Sequence, residues 1–421
     1  MVRGEVVNTA TAERLSRHYA LEELGDRHAT RKLILALVGC FLVGAGVILL
    51  FAHNWDELSR PMRAAVSLGQ LAIAQAIAGY VVWKRPSTAG LEGSGALLTL
   101  SAGAAIGLIS QTYHLDGELG DFMLVWIALA APLIYAMPAR IIATLVLMGA
   151  PVLAFERTRE LDHGFAYWIA LAAAVPALSL REHASRSDGL TMLARWALVI
   201  TLPIAATPLI AQQSGGPWLL FYAGLAASCV ALGVMLENGA SFPKRPFSIA
   251  GGLGTVVLAL ALSYDDVVDD VLTSGAYYGA DRASWPGYAA YGLAFLLLGA
   301  AAALAYRALR ARDHAALALL GCNAFSVLVY GLAHARVPDQ TLAILASVAL
   351  LALGGALLTL GLRSQSASLS NKGLAVLSLL FVARFFDTEL SFIVRGLGFV
   401  LLGIAFLAIN VVLNKKKEVA A

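Results

Sequence analysis

The sequence predicts an all-α integral membrane protein, a polytopic helical bundle of about 14 transmembrane helices with both termini in the cytoplasm. Hydrophobic residues make up 59% of the 421 residues and charged residues only 14%, whereas soluble domains carry roughly 25% charged residues. The apolar residues form blocks of roughly 15–23 residues, close to the length with which a helix crosses the hydrocarbon core. These blocks lack the alternation of transmembrane strands, so the predicted spans are helices.

The predicted spans divide evenly between the two halves of the chain. In the first half they are Leu33–Ala52, Ala64–Trp83, Leu91–Thr112, Gly120–Met137, Ile141–Phe155, Gly164–Leu180 and Met192–Ala211. In the second half they are Pro217–Leu236, Phe247–Ser263, Gly287–Tyr306, His314–Ala333, Thr341–Leu362, Gly373–Phe386 and Ser391–Leu413. Ile141–Phe155 and Gly373–Phe386 are short, which leaves 12–14 full spans open.

The distribution of basic residues sets the predicted orientation, because Lys and Arg accumulate in cytoplasmic segments. With the N-terminus inside, the inside segments and their adjoining span ends hold 22 of the 30 Lys and Arg residues, and the outside loops hold 6. An even number of spans preserves this alternation as far as the C-terminal tail.

Three regions are predicted along the chain. Residues 1–32 form a cytoplasmic segment in which Val6–Leu24 is predicted as a helix that packs on the bundle, lies on the membrane or binds a partner protein. Residues 33–413 form the transmembrane domain, with possible halves at 33–211 and 217–413, and residues 414–421 form a basic cytoplasmic tail.

Small and polar residues within the spans predict how the helices contact one another. Gly103-x-x-x-Gly107, Gly251-Gly252 and Gly354-Gly355 predict close approaches between helices, and Asn323 predicts a hydrogen bond from one helix to another. Pro203 and Pro208 both fall within Met192–Ala211, which is therefore the span where a kink is most expected.

Several classes of function are not indicated. The formal net charge of +3 is small, so no nucleic-acid partner is expected. Cys40, Cys229 and Cys322 lie in separate apolar blocks without metal-binding spacing, so buried thiols are expected rather than a disulfide or metal site. The sequence contains no cofactor fingerprint, P-loop or hydrolase motif, and no cofactor is expected.

The richest polar stretch joins the third predicted span to the fourth and offers amide, imidazole and carboxylate groups. Together with the first outer loop, it supplies the predicted substrate-binding residues Asn54, Asp56, Gln111, Tyr113, His114 and Asp121. We expect these side chains to line an outward-facing vestibule. The alternative interpretation is that they only cap helices at the membrane interface, where such amphipathic residues are common.

Two further groups of charged residues are candidates for a site. Arg384 and Asp387 are spaced to pair on one helix face, with Arg395 close by, and a structural clamp is favoured over a substrate site. Asp265, Asp266 and Asp269 have the D-D-x-x-D spacing that holds Mg²⁺ and diphosphate in prenyl-transferring enzymes. Because no second acidic motif accompanies this run, a solvated acidic loop is favoured over a metal site.

The start and end of the chain carry a family resemblance. The run Ala104–His114, followed by Gly120-Asp121 and Trp126, resembles the bacterial predicted membrane proteins of domain of unknown function 2157. Ala383–Asp387 is similar to the ending of that group, although Phe385 stands where a tyrosine is usual. Further matching features are Ala12–Leu15 and Asn54-Trp55. The resemblance implies a bacterial inner-membrane location and no established activity.

The expected function is that of a secondary transporter or flippase for a small polar or lipid-linked substrate, with membrane lipids as partners. Many spans, little extramembrane mass and prolines within spans favour this hypothesis. Two alternatives stay open: a membrane scaffold or sensor acting through partner proteins, and a membrane enzyme acting on a lipid or diphosphate substrate. The lack of a catalytic motif favours a role other than catalysis.

Overall fold

The computed structural model describes residues 58–84, 88–137, 139–157, 171–172, 174, 189–211, 217–237, 244–269, 272 and 285–387. Across these ranges the chain is helical and contains no strand. The all-α prediction is therefore confirmed for this part of the protein.

The described helices are numbered here in chain order. They are α1 (Arg60–Lys84), α2 (Thr88–Tyr113), α3 (Leu119–Ala136), α4 (Arg140–Arg157), α5 (Gly189–Ala211), α6 (Pro217–Leu236), α7 (Pro246–Ala261), α8 (Asp265–Val268), α9 (Trp285–Ala311), α10 (His314–His334), α11 (Asp339–Arg363) and α12 (Ala367–Asp387).

Within the described ranges, eight helices are long and apolar enough to cross a membrane: α1, α2, α3, α5, α6, α9, α10 and α11. The apolar parts of α4 and α7 are shorter. Each predicted span that falls within the described residues corresponds to a helix. Leu33–Ala52 and Ser391–Leu413 lie outside the described residues, as does nearly all of Gly164–Leu180, so the count of fourteen and the orientation stay predictions. The N-terminal segment and the basic tail also lie outside.

The chain divides into two compact units, Met1–Gln70 with Gly107–Leu115, and Leu71–Ile106 with Asp116–Ala421. In the first unit, the backbone amides of Met62 and Arg63 donate to the carbonyl of Ser59 at 2.9 Å and start α1. The second unit contains the packed helix core and the polar clusters that concern function.

The core of the second unit includes a closely packed region around α4. Ile142, Val146 and Leu147 are fully buried, and they pack among side chains of α2, α3 and α5. Trp126 of α3 donates from its indole nitrogen to the Thr99 carbonyl of α2 at 2.8 Å. A Cβ on Gly103 would lie 3.1 Å from that indole nitrogen, so this glycine makes room for the ring, as the predicted close contact requires.

Two pairs of helices approach closely at glycines. A Cβ on Gly251 of α7 would lie 2.5 Å from the Val230 backbone nitrogen of α6, and one on Gly373 of α12 would lie 2.5 Å from the Leu358 nitrogen of α11. A Cβ on Gly354 would meet the Leu377 side chain at 2.7 Å. The predicted close contacts are therefore confirmed at Gly251 and Gly354.

A buried amide links α10 to α7. Asn323 is 2% exposed, and its Nδ2 donates to Thr255 Oγ1 at 2.7 Å and to the Leu319 carbonyl at 3.1 Å. This confirms the predicted hydrogen bond between helices.

Candidate functional site

A half-open apolar cavity of about 320 Å³ lies between α5, α6 and α7. Its lining is almost entirely aliphatic or aromatic: Val199, Pro203, Trp218, Tyr222, Leu225, Ala226, Cys229, Ala250, Gly254, Val257, Leu258 and Ala261. On α7 the lining extends along one helix face for three turns, about 16 Å at 1.5 Å per residue. The volume lies at the lower end of the range for small-molecule sites.

Of the polar groups in the residues that line the cavity, one is hydrogen-bonded within the protein and one is not. The Tyr222 hydroxyl donates to the Pro203 carbonyl at 3.0 Å and lies 2.9 Å from Thr207 Oγ1, so it is satisfied within the protein. The indole nitrogen of Trp218 is buried and has no acceptor among the described residues. The cavity therefore offers a ligand an almost wholly apolar surface.

A buried charged cluster joins the N-terminal ends of α2, α4 and α5. Glu92 accepts from the backbone amide of Ile141 at 2.8 Å and lies 3.4 Å from Arg140 Nε. Arg140 Nη1 donates to Thr191 Oγ1 at 2.6 Å. Glu92 is 6% exposed and Arg140 is 9% exposed. The carboxylate thus caps the start of α4 and also neutralises a buried guanidinium.

A second buried cluster joins α5 to α6 and α7. Glu237, which follows α6 and is 3% exposed, accepts from the backbone amides of Phe247 and Ser248 at 2.8 and 2.9 Å and from Ser248 Oγ at 2.7 Å. Arg195 of α5 is also buried and interacts electrostatically with Glu237. Glu237 therefore caps the start of α7 and opposes the charge of Arg195.

These four buried charges were not among the residues predicted to form a site. A signal for two of them is present in the sequence, because Glu92 and Arg195 each lie just inside a predicted span, where charges are costly and usually paired. The two clusters place the N-terminal ends of α2, α4, α5 and α7 and the C-terminal end of α6 at one side of the second unit. The positive-inside pattern of the sequence predicts that all five ends lie on the cytoplasmic face.

The structure places part of the predicted vestibule. Gln111, Tyr113 and His114 are exposed at the end of α2, in the first unit. His114 has a φ of 50° and ends the helix, with the Leu115 amide donating to the Ser110 carbonyl at 3.0 Å. Among non-glycine residues, His is several-fold enriched in the left-handed backbone conformation. His114 therefore has a structural role here, which is to end the helix.

The remaining vestibule residues are divided. Asp121 is exposed in the second unit and caps its own helix, accepting from the Glu118 amide at 3.2 Å. Asn54 and Asp56 lie outside the described residues. The vestibule as a single pocket therefore stays a prediction.

Arg384 joins three segments of the second unit. Its Nη2 donates to the Ser263 carbonyl after α7 and to Ser347 Oγ of α11, the latter at 2.9 Å. Its guanidinium lies 5.2 Å from the centre of the Tyr264 ring. The side chain of Asp387 and all of Arg395 lie outside the described residues, so the predicted pairing with them stays a prediction. The contacts that are described have the character of a structural clamp.

The predicted metal site lies around α8. Asp265 and Asp266 are in the first turn of α8, and Asp269 follows it. In the part of the chain that the structure describes, no group of three His, Cys, Asp or Glu side chains is placed to hold a metal ion. The metal hypothesis for Asp265, Asp266 and Asp269 stays a prediction.

The clamp at Arg384 leads to a stability prediction. Arg384→Met removes charge-assisted hydrogen bonds from a half-buried site, and we expect a loss of about 1.5–3 kcal/mol in the free energy of unfolding, measured by denaturant titration in detergent micelles. The control is Arg310→Met, because Arg310 also contacts a tyrosine, Tyr306, but is exposed; its expected loss is below about 1 kcal/mol. Equal losses in the two variants would contradict the clamp.

The apolar helices and the buried charges that cap their ends define a multi-span helical membrane protein. Residues 2–143 match the model of the family described as predicted membrane protein, domain of unknown function 2157. This match covers about a third of the chain and confirms the resemblance seen in its first residues. No curated protein and no solved structure was found to match.

Proposed function

We propose that the protein is a flippase or secondary transporter in the bacterial inner membrane, and that its substrate is lipid-linked. The observation that carries this proposal is the apolar cavity between α5, α6 and α7. Two of its three walls, α5 and α6, are helices long and apolar enough to cross a membrane.

The lining favours a hydrocarbon chain over a small polar solute. A buried polar group without a partner costs free energy, so a site for a sugar or an amino acid needs several convergent donors and acceptors. Here the Tyr222 hydroxyl is already bonded within the protein, and the Trp218 indole nitrogen is buried. A hydrocarbon chain suits such a wall, because it needs no hydrogen-bond partner.

The headgroup needs a polar route that the cavity does not provide. The residues that the sequence predicts to line an outward-facing vestibule are the proposed contacts of that headgroup: Asn54, Asp56, Gln111, Tyr113, His114 and Asp121. Their amide, imidazole and carboxylate groups suit a hydroxylated or charged headgroup. This part of the proposal depends on the sequence prediction of a vestibule.

Lipid translocation in proteoliposomes tests the proposal. The probes are phosphatidylethanolamine, phosphatidylglycerol and a polyprenyl phosphate, each carrying a dithionite-quenchable fluorophore. We expect the protein to raise the rate at which inner-leaflet probe becomes quenchable for at least one of them. Gly254→Leu should abolish that gain, because Gly254 lines the cavity and a leucine would fill it.

The control is Gly292→Leu on α9, where an added Cβ meets no atom within 4 Å, whereas one on Gly254 would lie 3.3 Å from Ala226 Cβ. This variant should translocate lipid at the wild-type rate. If the wild-type protein moves none of the three probes, or if Gly254→Leu and Gly292→Leu behave alike, the proposal is wrong. Either of those results would favour a scaffold or sensor that acts through partner proteins.

A further inference from the structure

We propose that the N-terminal half of α5 is a gate that pivots at Pro203 and controls access to the apolar cavity. The gate regulates the cavity on which the proposed function rests. Its evidence is separate, and consists of a break in the α5 hydrogen bonding, a fixed opposite wall and a polar lock at the start of α5.

The break lies on the cavity wall itself. Proline has no N–H, so Pro203 cannot donate to the Val199 carbonyl one turn earlier, and the helix is weakened at that step. Val199 and Pro203 both line the cavity. A pivot at this point would therefore change the width of the cavity directly.

The part of α5 after the break is attached to α6. The Pro203 carbonyl accepts from the Tyr222 hydroxyl at 3.0 Å and from Thr207 Oγ1 at 3.0 Å. Tyr222 thus holds the C-terminal half of α5 in place, and movement is left to the half that precedes Pro203.

The opposite wall of the cavity is rigid. A Cβ on Gly251 of α7 would lie 2.5 Å from the Val230 nitrogen, and one on Gly233 of α6 would lie 2.9 Å from the Ser248 nitrogen. Backbones this close leave no room for sliding or separation without loss of packing. Since α6 and α7 form one fixed wall, α5 is the wall that can move.

The N-terminal half of α5 shares an apolar cluster with α6 and α7 around Val199, and its first turn is held by a polar contact that can break and re-form as a unit. Thr191 accepts from Arg140, which is anchored by Glu92. A polar contact of this kind is either made or broken, so it can give the helix two distinct positions. A continuous apolar contact does not switch in this way.

The test measures how fast a water-soluble maleimide labels Cys229 in proteoliposomes without any added substrate. Cys229 lines the cavity and is 7% exposed, and Cys40→Ser with Cys322→Ala leaves it as the single thiol. Thr191→Val should speed labelling about three- to tenfold, the shift expected for losing one hydrogen bond. Pro203→Ala restores the missing donor and should slow labelling severalfold.

Two controls separate gating from general loosening. Thr144→Val removes a buried hydroxyl that bonds within α4, to the Arg140 carbonyl, and should leave the labelling rate unchanged. In the complementary variant that retains only Cys322, which is 6% exposed on α10, Thr191→Val should also have no effect.

Wild-type labelling rates in both Thr191→Val and Pro203→Ala would overturn the gate, as would equal acceleration at Cys229 and Cys322. Because the labelling needs no lipid probe, its outcome is independent of the translocation assay. A protein that gates but moves no lipid would refute the proposed function alone. A protein that moves lipid with unchanged labelling would refute the gate alone.

Discussion

Glu237→Ala is expected to lower the free energy of unfolding by about 3–5 kcal/mol, because it removes a buried carboxylate that accepts three hydrogen bonds and leaves their donors buried. The variant loses the three hydrogen bonds that cap α7 and takes away the charge that opposes buried Arg195. Titration with a denaturing detergent, from mild detergent micelles, measures the change. Glu237→Gln keeps one acceptor oxygen and should lose less.

A less buried helix cap provides the control for Glu237. Asp313 is half-buried and its carboxylate accepts from the backbone amides of Ala315 and Ala316 at the start of α10. Asp313→Ala should cost about 0.5–2 kcal/mol, the usual value for an N-cap. If Glu237→Ala costs no more than Asp313→Ala, the carboxylate is only a cap and the electrostatic link between α5 and α6 contributes nothing.

Gly373→Ala should be strongly destabilising although it changes a helical glycine to the best helix former. A Cβ at this position would lie 2.5 Å from the Leu358 nitrogen and 2.7 Å from the Gly354 carbonyl, and backbone atoms cannot rotate away. We expect α11 and α12 to separate, at a cost of about 1–3 kcal/mol, the range for overpacked cores. The midpoint of thermal unfolding in detergent would fall accordingly.

Gly355→Ala on α11 is the control for Gly373→Ala. An added Cβ at Gly355 meets no atom within 4 Å, so only the helix propensity changes, and stability should rise by up to about 1 kcal/mol. Opposite signs for the two variants are the expected result. A loss at both positions would mean that the glycines serve some purpose other than close helix contact.

The helices are the part of the structure that the sequence predicts well, because an apolar run of membrane-spanning length has few alternatives. The sequence predicts a span at Ala64–Trp83, and the helix found there is α1, Arg60–Lys84. It also predicts a span at His314–Ala333, and the helix found there is α10, His314–His334. The prediction is too short at α12, which begins at Ala367 rather than Gly373. The first turns of α12 contain Ser368, Ser370 and Lys372. These polar residues are left out of a span predicted from hydropathy, but their backbone forms part of the helix.

The two buried clusters of charged residues are harder to predict because their members are distant in sequence. Glu92 and Arg140 are 48 residues apart, and no local pattern joins them. The contacts of Arg384 with Ser263 and Ser347 likewise have no local signal, because those residues are 121 and 37 positions away. Such pairs depend on which helices pack together, and one sequence does not contain that information.

The cavity could not be predicted from the sequence either. Its lining residues have ordinary positions in apolar helices, and Val199, Leu225 and Val257 would look the same if they faced lipid or a neighbouring helix. What distinguishes them is the gap left between α5 and the closely packed pair α6 and α7. Pro203 was expected to bend its span, but its place on a cavity wall is a tertiary property.

Native mass spectrometry of the protein released from mild detergent tests most directly whether the α5–α7 cavity holds a lipid. The account predicts that wild-type protein and Gly292→Leu retain a bound lipid at equal occupancy, and that Gly254→Leu loses it. Tandem fragmentation of the bound species would identify its chain and headgroup. Equal lipid occupancy in wild type and Gly254→Leu, or no bound lipid in any of the three proteins, would contradict the assignment of this cavity to a hydrocarbon chain.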